Sequence, residues 1–600
     1  MATPILEIKD LDVRFETPDG EVHAVKSLSL EVGAGECLGV VGESGSGKSQ
    51  LFLAAVGLLS SNGRATGSVK YRGDEILGAS QRALNRLRGS RITMVFQDPL
   101  TSLTPHLRIG EQIMESLRVH QRLPRDEAEK RALDVLELVR IPEGRQRMLQ
   151  YPHELSGGMC QRVMIAMAMV CGPDLLIADE PTTALDVTVQ AEVLEIMREL
   201  KAELKTSIVL VSHDMGVIAG MADRAQVMRG GEIVESGTVD NIFYRPQHAY
   251  TKMLLDAMPR LNRPDARGTA ASASASAEPI LKVEDLRVSF PILTDGWHTK
   301  QLRAVDGVSF ELRQGETLGI VGESGCGKST LARAVLKLLP KSDGTVLWLG
   351  RDLGPLAGDE MRRLRKDFQI VFQDPLASLD PRMTIGESIA EPLHSLQPLL
   401  SRDEVAARVR RMMDQVGLEP LWINRYPHEF SGGQNQRVGV ARAMIVEPRL
   451  VICDEAVSAL DASIQAQIIA LIRKLQTDFA MSLIFISHDL SVVRQLAHRV
   501  MVLYMGRIVE LADRDAIYRD ARHPYTKALI AAVPVPDPQV ERAKKSPRPI
   551  GEMPSPFDSR APLVFLKSKI IDDPDAEQYR PKLIEVAPGH LVAEFDPVPI

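Results

Sequence analysis

The chain states its fold twice. LDVRF, ending at Phe15, recurs as LRVSF, ending at Phe290. GESGSGKS, carrying Lys48, recurs as GESGCGKS, carrying Lys328. VFQDP recurs around Gln97 and Gln373, YPHELSGG as YPHEFSGG, ADEPTTALD as CDEAVSALD, SHD at His213 and His488, and HAYTKMLL as HPYTKALI. The offset stays between 275 and 280 residues across the 600-residue chain. A unit that long is a duplicated domain, well beyond the ~20–50 residues of a solenoid repeat. We therefore expect one domain over 1–261, a second over 280–535, and a tail over 536–600.

Between the copies, 262–279 (NRPDARGTAASASASAEP) is rich in Ala, Ser and Pro and has no apolar periodicity. It is expected to be a flexible linker, spanning roughly 20–25 Å as coil, too short to hold another folded module.

Charge, cysteines and hydropathy exclude several classes. A net charge of -7 gives no general reason for nucleic-acid binding. The five cysteines (Cys37, Cys160, Cys171, Cys326, Cys453) form no CxxC pair, which argues against zinc, an iron–sulfur site or a secreted disulfide framework. The start, MATPILEIKD, does not resemble a signal peptide. No apolar run approaches the ~20 residues needed to span a bilayer, so any membrane role is expected to be peripheral.

Periodicity places the motifs on a parallel α/β sheet. Glu36 to Val41 is expected as a strand running into a Gly-rich turn, with a helix from Ser49 to Leu59. Asp174 to Ala178 and Ser207 to Val211 are expected as further strands, ending at Asp179–Glu180 and at Ser212–His213. Chemistry in such sheets gathers at the carboxyl ends of the strands.

Two segments fit G-x-x-x-x-G-K-[ST]: Gly42, Glu43, Ser44, Gly45, Ser46, Gly47, Lys48, Ser49, and Gly322, Glu323, Ser324, Gly325, Cys326, Gly327, Lys328, Ser329. Gln50 and Thr330 follow them. The glycines let backbone N–H groups turn onto phosphate oxygens, and the next helix adds its positive end. Lys48 and Lys328 are expected to reach the β- and γ-phosphates, with Ser49 and Ser329 on Mg²⁺. A chance Gly-rich turn explains one such match, but not two with a strand before and a helix after.

Asp179 and Asp454 end apolar strands where a second Mg²⁺ contact is required. Glu180 and Glu455 follow, placed to accept a proton from the attacking water. A single DE pair is usually a solvated strand end; two pairs at matching distances from two loops favour the catalytic reading. His213 and His488 favour a γ-phosphate contact over a structural role because the position recurs. Gln97 and Gln373 suit either Mg²⁺ ligation or water positioning. Phe15 and Phe290 suit adenine stacking, with core packing as the rival, since both continue the apolar face of an alternating strand.

LSGG (Leu155, Ser156, Gly157, Gly158) and FSGGQ (Phe430, Ser431, Gly432, Gly433, Gln434) resemble the signature of ATP-binding cassette (ABC) proteins. With the paired loops, TALD, SALD and the two SHD histidines, the resemblance covers nearly the whole chain except the linker and the last stretch. It implies two tandem P-loop ATPase domains, each with a RecA-like core, an antiparallel β subdomain and a helical subdomain. It also implies composite sites: Lys48, Asp179, Glu180 and His213 facing Ser431, Gly433 and Gln434, and Lys328, Asp454, Glu455 and His488 facing Ser156 and Gly158. Met159 departs from the pattern, standing where the second copy has Gln434.

VFQDPLTSLTPHLRIGEQI, VFQDPLASLDPRMTIGESI and HPYTKALI look like the dipeptide, oligopeptide and nickel importers. Such ATPases use ATP and Mg²⁺ to energise two integral membrane permease subunits, fed by an extracytoplasmic solute-binding protein, from the cytoplasmic face of a bacterial inner membrane. Di- or oligopeptides are the default solute; the helical stretches after Gln97 and Gln373 would receive the permease's coupling helices. The tail segments GEMPSP and EVAPGHLVAEF resemble an importer tail that often carries clustered cysteines. Here Leu563 and Lys569 stand near those places, so no iron–sulfur cluster is expected. The rival class, a tandem-cassette translation factor or other nucleic-acid ATPase, calls for a long charged helical connector, which 262–279 is not.

Overall fold

The computed structural model describes residues 3–18, 20–183, 185–258, 278–294, 298–458, 460–544 and 581–595. Most of the linker (262–277), GEMPSP, Leu563 and Lys569 lie outside the described residues. The chain divides into two compact units: Met1–Met258 with Asp461–Ser463 and Pro534–Glu552, and Pro259–Leu460 with Ile464–Val533 and Met553–Ile600.

In the first unit, Leu6–Thr17 alternates buried and outward residues from Leu6 to Phe15, apart from a bulge at Lys9–Asp10 where two outward residues follow each other. It pairs antiparallel with Gly20–Val32 and Gly63–Tyr71, making a four-stranded sheet with one apolar face. The second sheet has six strands, in the order Glu232–Thr238, Arg224–Arg229, Cys37–Val41, Ser207–Ser212, Leu175–Asp179, Ile92–Val95. Its central strands Cys37–Val41, Leu175–Asp179 and Ser207–Ser212 are buried throughout. Their continuous apolar runs are what a parallel sheet covered on both faces requires.

The parallel register sets the site. Val41 pairs with Ser212, Asp179 with Val211, and Val95 with Ala178. Four strand ends therefore finish at one edge, and the residues just beyond them meet there. Helices between Pro99 and Met169, chiefly Ile109–Ser116, Arg125–Leu138 and Gly157–Met169, form the helical part, and its apolar residues Ile113, Leu136 and Ile165 join one cluster with Val41, Ala178 and Leu210 of the sheet.

The second unit repeats this plan with one addition. Its large sheet has eight strands: Phe368–Val371, Leu450–Asp454, Ser482–Ser487, Thr317–Val321, Arg499–Tyr504, Arg507–Asp513, His590–Ala593 and Leu583–Ala587. The last two form a hairpin from the tail that covers the edge of Arg507–Asp513. His590 Nε2 lies 2.8 Å from Oε1 of Glu510, which is fully buried. The tail's other described element, the helix Pro538–Ala543, belongs to the first unit, where Tyr244 Oη donates to Asp537 Oδ1 at 2.6 Å.

Boundaries shift by a few residues from expectation. The helix expected over Ser49 to Leu59 runs Lys48–Ala55, because Gly57 turns to φ 69° and its N–H closes onto Ala54. The strands extend one residue further, taking in Asp179 and Ser212, and the first begins at Cys37 rather than Glu36. Among the described residues, no helix is long and apolar enough to cross a membrane.

Candidate active sites

Each phosphate loop is folded around its own lysine. Lys48 Nζ donates to the carbonyls of Gly42 (2.7 Å) and Glu43 (2.9 Å), and Lys328 Nζ to those of Gly322 (2.8 Å) and Glu323 (2.9 Å). Burial pulls the Lys48 ammonium below its ordinary pKa, against the pull of Glu180 3.9 Å away. The helices Lys48–Ala55 and Lys328–Val335 start at Gly47 and Gly327, which hold φ 95° and 104° and supply no side-chain cap. The first-turn N–H groups are thus left for an anion. A Cβ at Gly47 would lie 2.3 Å from the Ala24 carbonyl oxygen, and one at Gly327 2.2 Å from that of Ala304.

The strand ends bring in the acids. Ser49 Oγ donates to Asp179 Oδ1 at 3.0 Å, and Ser329 Oγ to Asp454 Oδ1 at 2.7 Å. Burial holds both aspartates above the ordinary carboxylate range. Hydroxyl and carboxylate are hard oxygen donors of the kind Mg²⁺ selects, and a cation beside Oδ1 offsets the cost of that buried charge.

Glu180 and Glu455 take the left-handed backbone conformation, at φ 49° and 50°. Such strain costs about 1–3 kcal/mol and persists only where neighbours impose it. Here the sheet imposes it, through Glu180 N–H to Val211 O (2.9 Å) and Glu455 N–H to Ile486 O (3.1 Å). Around Glu180 Oε2 stand His213 Nδ1 (3.2 Å), Gln97 Nε2 (3.2 Å) and Thr183 Oγ1 (2.9 Å). Around Glu455 Oε2 stand Gln373 Nε2 (2.9 Å) and His488 Nδ1 (3.6 Å). Burial pushes both glutamates up, but the histidine partners, with the lysines, outweigh it and leave the carboxyls below their ordinary value. Burial likewise lowers the two histidines, yet the glutamates win and raise them. The glutamate is kept ionised, as a general base requires. The glutamines use their N–H on the glutamate, so the amide oxygen stays available to a cation or water.

The signature residues start helices of their own. Ser156 caps Gly157–Met169, accepting from Met159 N–H at 3.1 Å; Ser431 caps Gly432–Met444, accepting from Gln434 N–H at 3.3 Å. Gln434 Oε1 returns a bond to Ser431 N–H at 2.9 Å, closing a capping box. Met159 has no amide to do so and packs against the apolar core instead. Ser156, Gly157, Ser431 and Gly432 are exposed.

Phe15 and Phe290 separate. Phe15 is partly buried against the core, whereas Phe290 is 37% exposed. Cys326 is 1% exposed inside its loop, where Ser46 stands in the first copy, also buried.

One functional pair was hidden in a repeated motif. Tyr250 Oη accepts from Glu43 N–H at 3.3 Å, and Tyr525 Oη from Glu323 N–H at 3.2 Å, so HAYTK and HPYTK buttress the two phosphate loops. Burial pushes the Tyr250 hydroxyl up to about 12, so it stays protonated. Tyr250→Phe removes this bond, and we expect ATP binding at the first loop to weaken by about 0.5–1.5 kcal/mol in titration calorimetry. An unchanged affinity would mean that the tyrosine only packs.

The profile described as ABC transporter matches 25–183 and 305–458, and that described as oligopeptide/dipeptide transporter, C-terminal region, matches 234–280 and 509–564. The glutathione import ATP-binding protein GsiA of Pectobacterium atrosepticum is 46% identical over 93% of this chain and 95% of its own length. GsiA of Escherichia coli is 45% identical over 90% of this chain and 91% of its own. Two profile matches fall on two phosphate-loop units with the same side-chain geometry: the chain belongs to the ABC transporter family, as a tandem P-loop ATPase.

Proposed function

We propose that the chain hydrolyses ATP at two sites and powers import of a small peptide-type solute through a separate membrane permease. ATP-driven solute import is what the family and the near relatives support. The catalytic assignments rest on one observation, the duplicated Lys–Ser–Asp–Glu–His constellation at the strand ends.

Lys48 and the N–H groups of its loop bind the phosphates, and Lys328 does the same in the second copy. Ser49 with Asp179, and Ser329 with Asp454, would hold Mg²⁺, which supplies charge neutralisation at the β- and γ-oxygens. Glu180 and Glu455 take a proton from the attacking water as its oxygen bonds to the γ-phosphorus and the bond to ADP breaks. His213 and His488 orient that glutamate and contact the γ-phosphate, and Gln97 and Gln373 position the water or the metal. Ser156 and Ser431 start their helices exposed, and with Gly158, Gly433 and Gln434 just behind them each start is suited to close over the γ-phosphate bound by the other copy.

Phe290, the more exposed ring, is the better adenine platform. Phe290→Ala is expected to weaken nucleotide binding while leaving thermal stability unchanged; Phe15→Ala should lower both. Equal melting losses in the two variants would assign both rings to the core.

Two integral membrane subunits and an extracytoplasmic binding protein complete the transporter, with this chain peripheral on the cytoplasmic face. The relatives named for glutathione import make a short peptide such as glutathione the leading solute. Uptake of radiolabelled glutathione and of a dipeptide, in cells carrying wild-type or Lys48→Ala/Lys328→Ala protein, tests this. Loss of glutathione uptake alone is the expected result. Loss of dipeptide uptake alone would move the substrate to peptides generally, and loss of neither would contradict transport.

A further inference from the structure

The two copies hold their loop-bracing tyrosines by different means. In the first, the Arg229 guanidinium sits 4.8 Å over the Tyr250 ring. The matching residue in the second copy is Tyr504, whose ring lies 4.7 Å from that of Tyr525. A ring contact thus replaces a cation.

The carboxylates behind the tyrosines differ more. Glu235 accepts from the N–H groups of Gln247 (2.7 Å) and His248 (3.1 Å), and Glu510 from those of Arg522 (2.7 Å) and His523 (3.1 Å). These donors lead into the helices Ala249–Ala257 and Pro524–Ala532, whose second residues are Tyr250 and Tyr525. Glu235 and His248 are half-buried, and the first unit's sheet ends at the strand of Glu235. Glu510 and His523 are fully buried, with the tail hairpin against them. His590 bonds the Glu510 carboxylate, and Phe595, just beyond the hairpin, sets its ring edge-on to His523 at 5.2 Å.

We propose that His590 is a positioning residue for ATP at the second site, acting from the tail hairpin on the backbone of the Lys328 loop. The route is continuous. It runs from His590 to the Glu510 carboxylate and on to the N–H groups of Arg522 and His523. His523 Nδ1 then accepts from Tyr525 N–H at 3.3 Å, and Tyr525 Oη from Glu323 N–H at 3.2 Å. Removing one partner from a buried carboxylate leaves its charge undercompensated, so the carboxylate and the helix start it holds must shift together. Tyr250 is held by Arg229 instead, so nucleotide at the Lys48 loop is insensitive to His590. This rests on the reading of the Lys328 loop as an ATP site.

The test is site-resolved 8-azido-ATP titration of the full chain. His590→Ala is expected to weaken labelling at the second loop about two- to tenfold, the range that one hydrogen bond to the loop allows, and to spare the first. In the Glu180→Gln background, where turnover comes from the second site, it should raise KM for ATP by the same factor and leave kcat unchanged. His590→Gln, whose amide can still donate to Glu510, should restore both. Tyr525→Phe should match the loss, and adding His590→Ala to it should cause no further one. An unchanged second site in His590→Ala, equal losses at both loops, or full additivity with Tyr525→Phe overturns the inference and leaves the second ATP site standing. A second loop that takes no label in the wild-type chain would overturn that site itself.

Discussion

Glu180→Gln and Glu455→Gln should each slow ATP cleavage at their own site by about 10²–10⁴-fold, so that either single variant keeps at most about half of the turnover. The double variant should retain almost none. The amide is nearly isosteric and preserves bonding to Gln97 or Gln373, so the loop and nucleotide binding should survive. What it cannot do is accept the water's proton. The glutamate is prepared for that task by its surroundings: a strained backbone locked to the next strand, and a histidine that keeps the carboxyl ionised despite burial. Steady-state phosphate release with equilibrium ATP binding separates the two effects. Full turnover in either single variant would remove that site from the mechanism, and lost binding would make the residue structural.

Gly47→Ala is the second large effect. The new Cβ would sit 2.3 Å from the Ala24 carbonyl oxygen, and the residue would be held at φ 95°. Neither is relieved by a rotamer, since the obstacle is backbone. Strain of about 1–3 kcal/mol at this hinge is expected to distort the start of Lys48–Ala55 and weaken ATP binding there by about tenfold or more. Gly45→Ala is the control: it also has positive φ (75°), but its Cβ would meet nothing within 4 Å. Site-resolved photolabelling with 8-azido-ATP reads the difference. Equal losses at Gly45 and Gly47 would assign the effect to φ alone rather than to contact with Ala24.

Much of this was legible before any coordinates, for physical reasons. The phosphate loops, DE pairs and SHD motifs sit beside short apolar runs, and a parallel sheet must gather the ends of such runs at one edge. Less was legible where geometry depends on distant partners. Nothing local marks Glu180 for a positive φ; the Val211 carbonyl imposes it. Tyr250 and Tyr525 stood in a motif that served only to suggest kinship, and their bonds to Glu43 and Glu323 span about two hundred residues of chain. The tail was expected as one segment, yet its hairpin extends the second unit's sheet and Pro538–Ala543 belongs to the first unit. Phe15 and Phe290 had the same pattern on the same strand, and only burial told them apart. The early end of Lys48–Ala55 had a local signal, Gly57, which apolar periodicity overrode.

We propose that one chain builds two ATP sites, each closed by the signature helix of the other copy. The direct measurement is site-resolved 8-azido-ATP labelling of the Glu180→Gln/Glu455→Gln chain, with Arg placed at Ser431 or at Ser156. Ser431→Arg is predicted to empty the site of Lys48 and spare that of Lys328, and Ser156→Arg to do the reverse. Loss of labelling at the phosphate loop of the same copy that carries the arginine would contradict it.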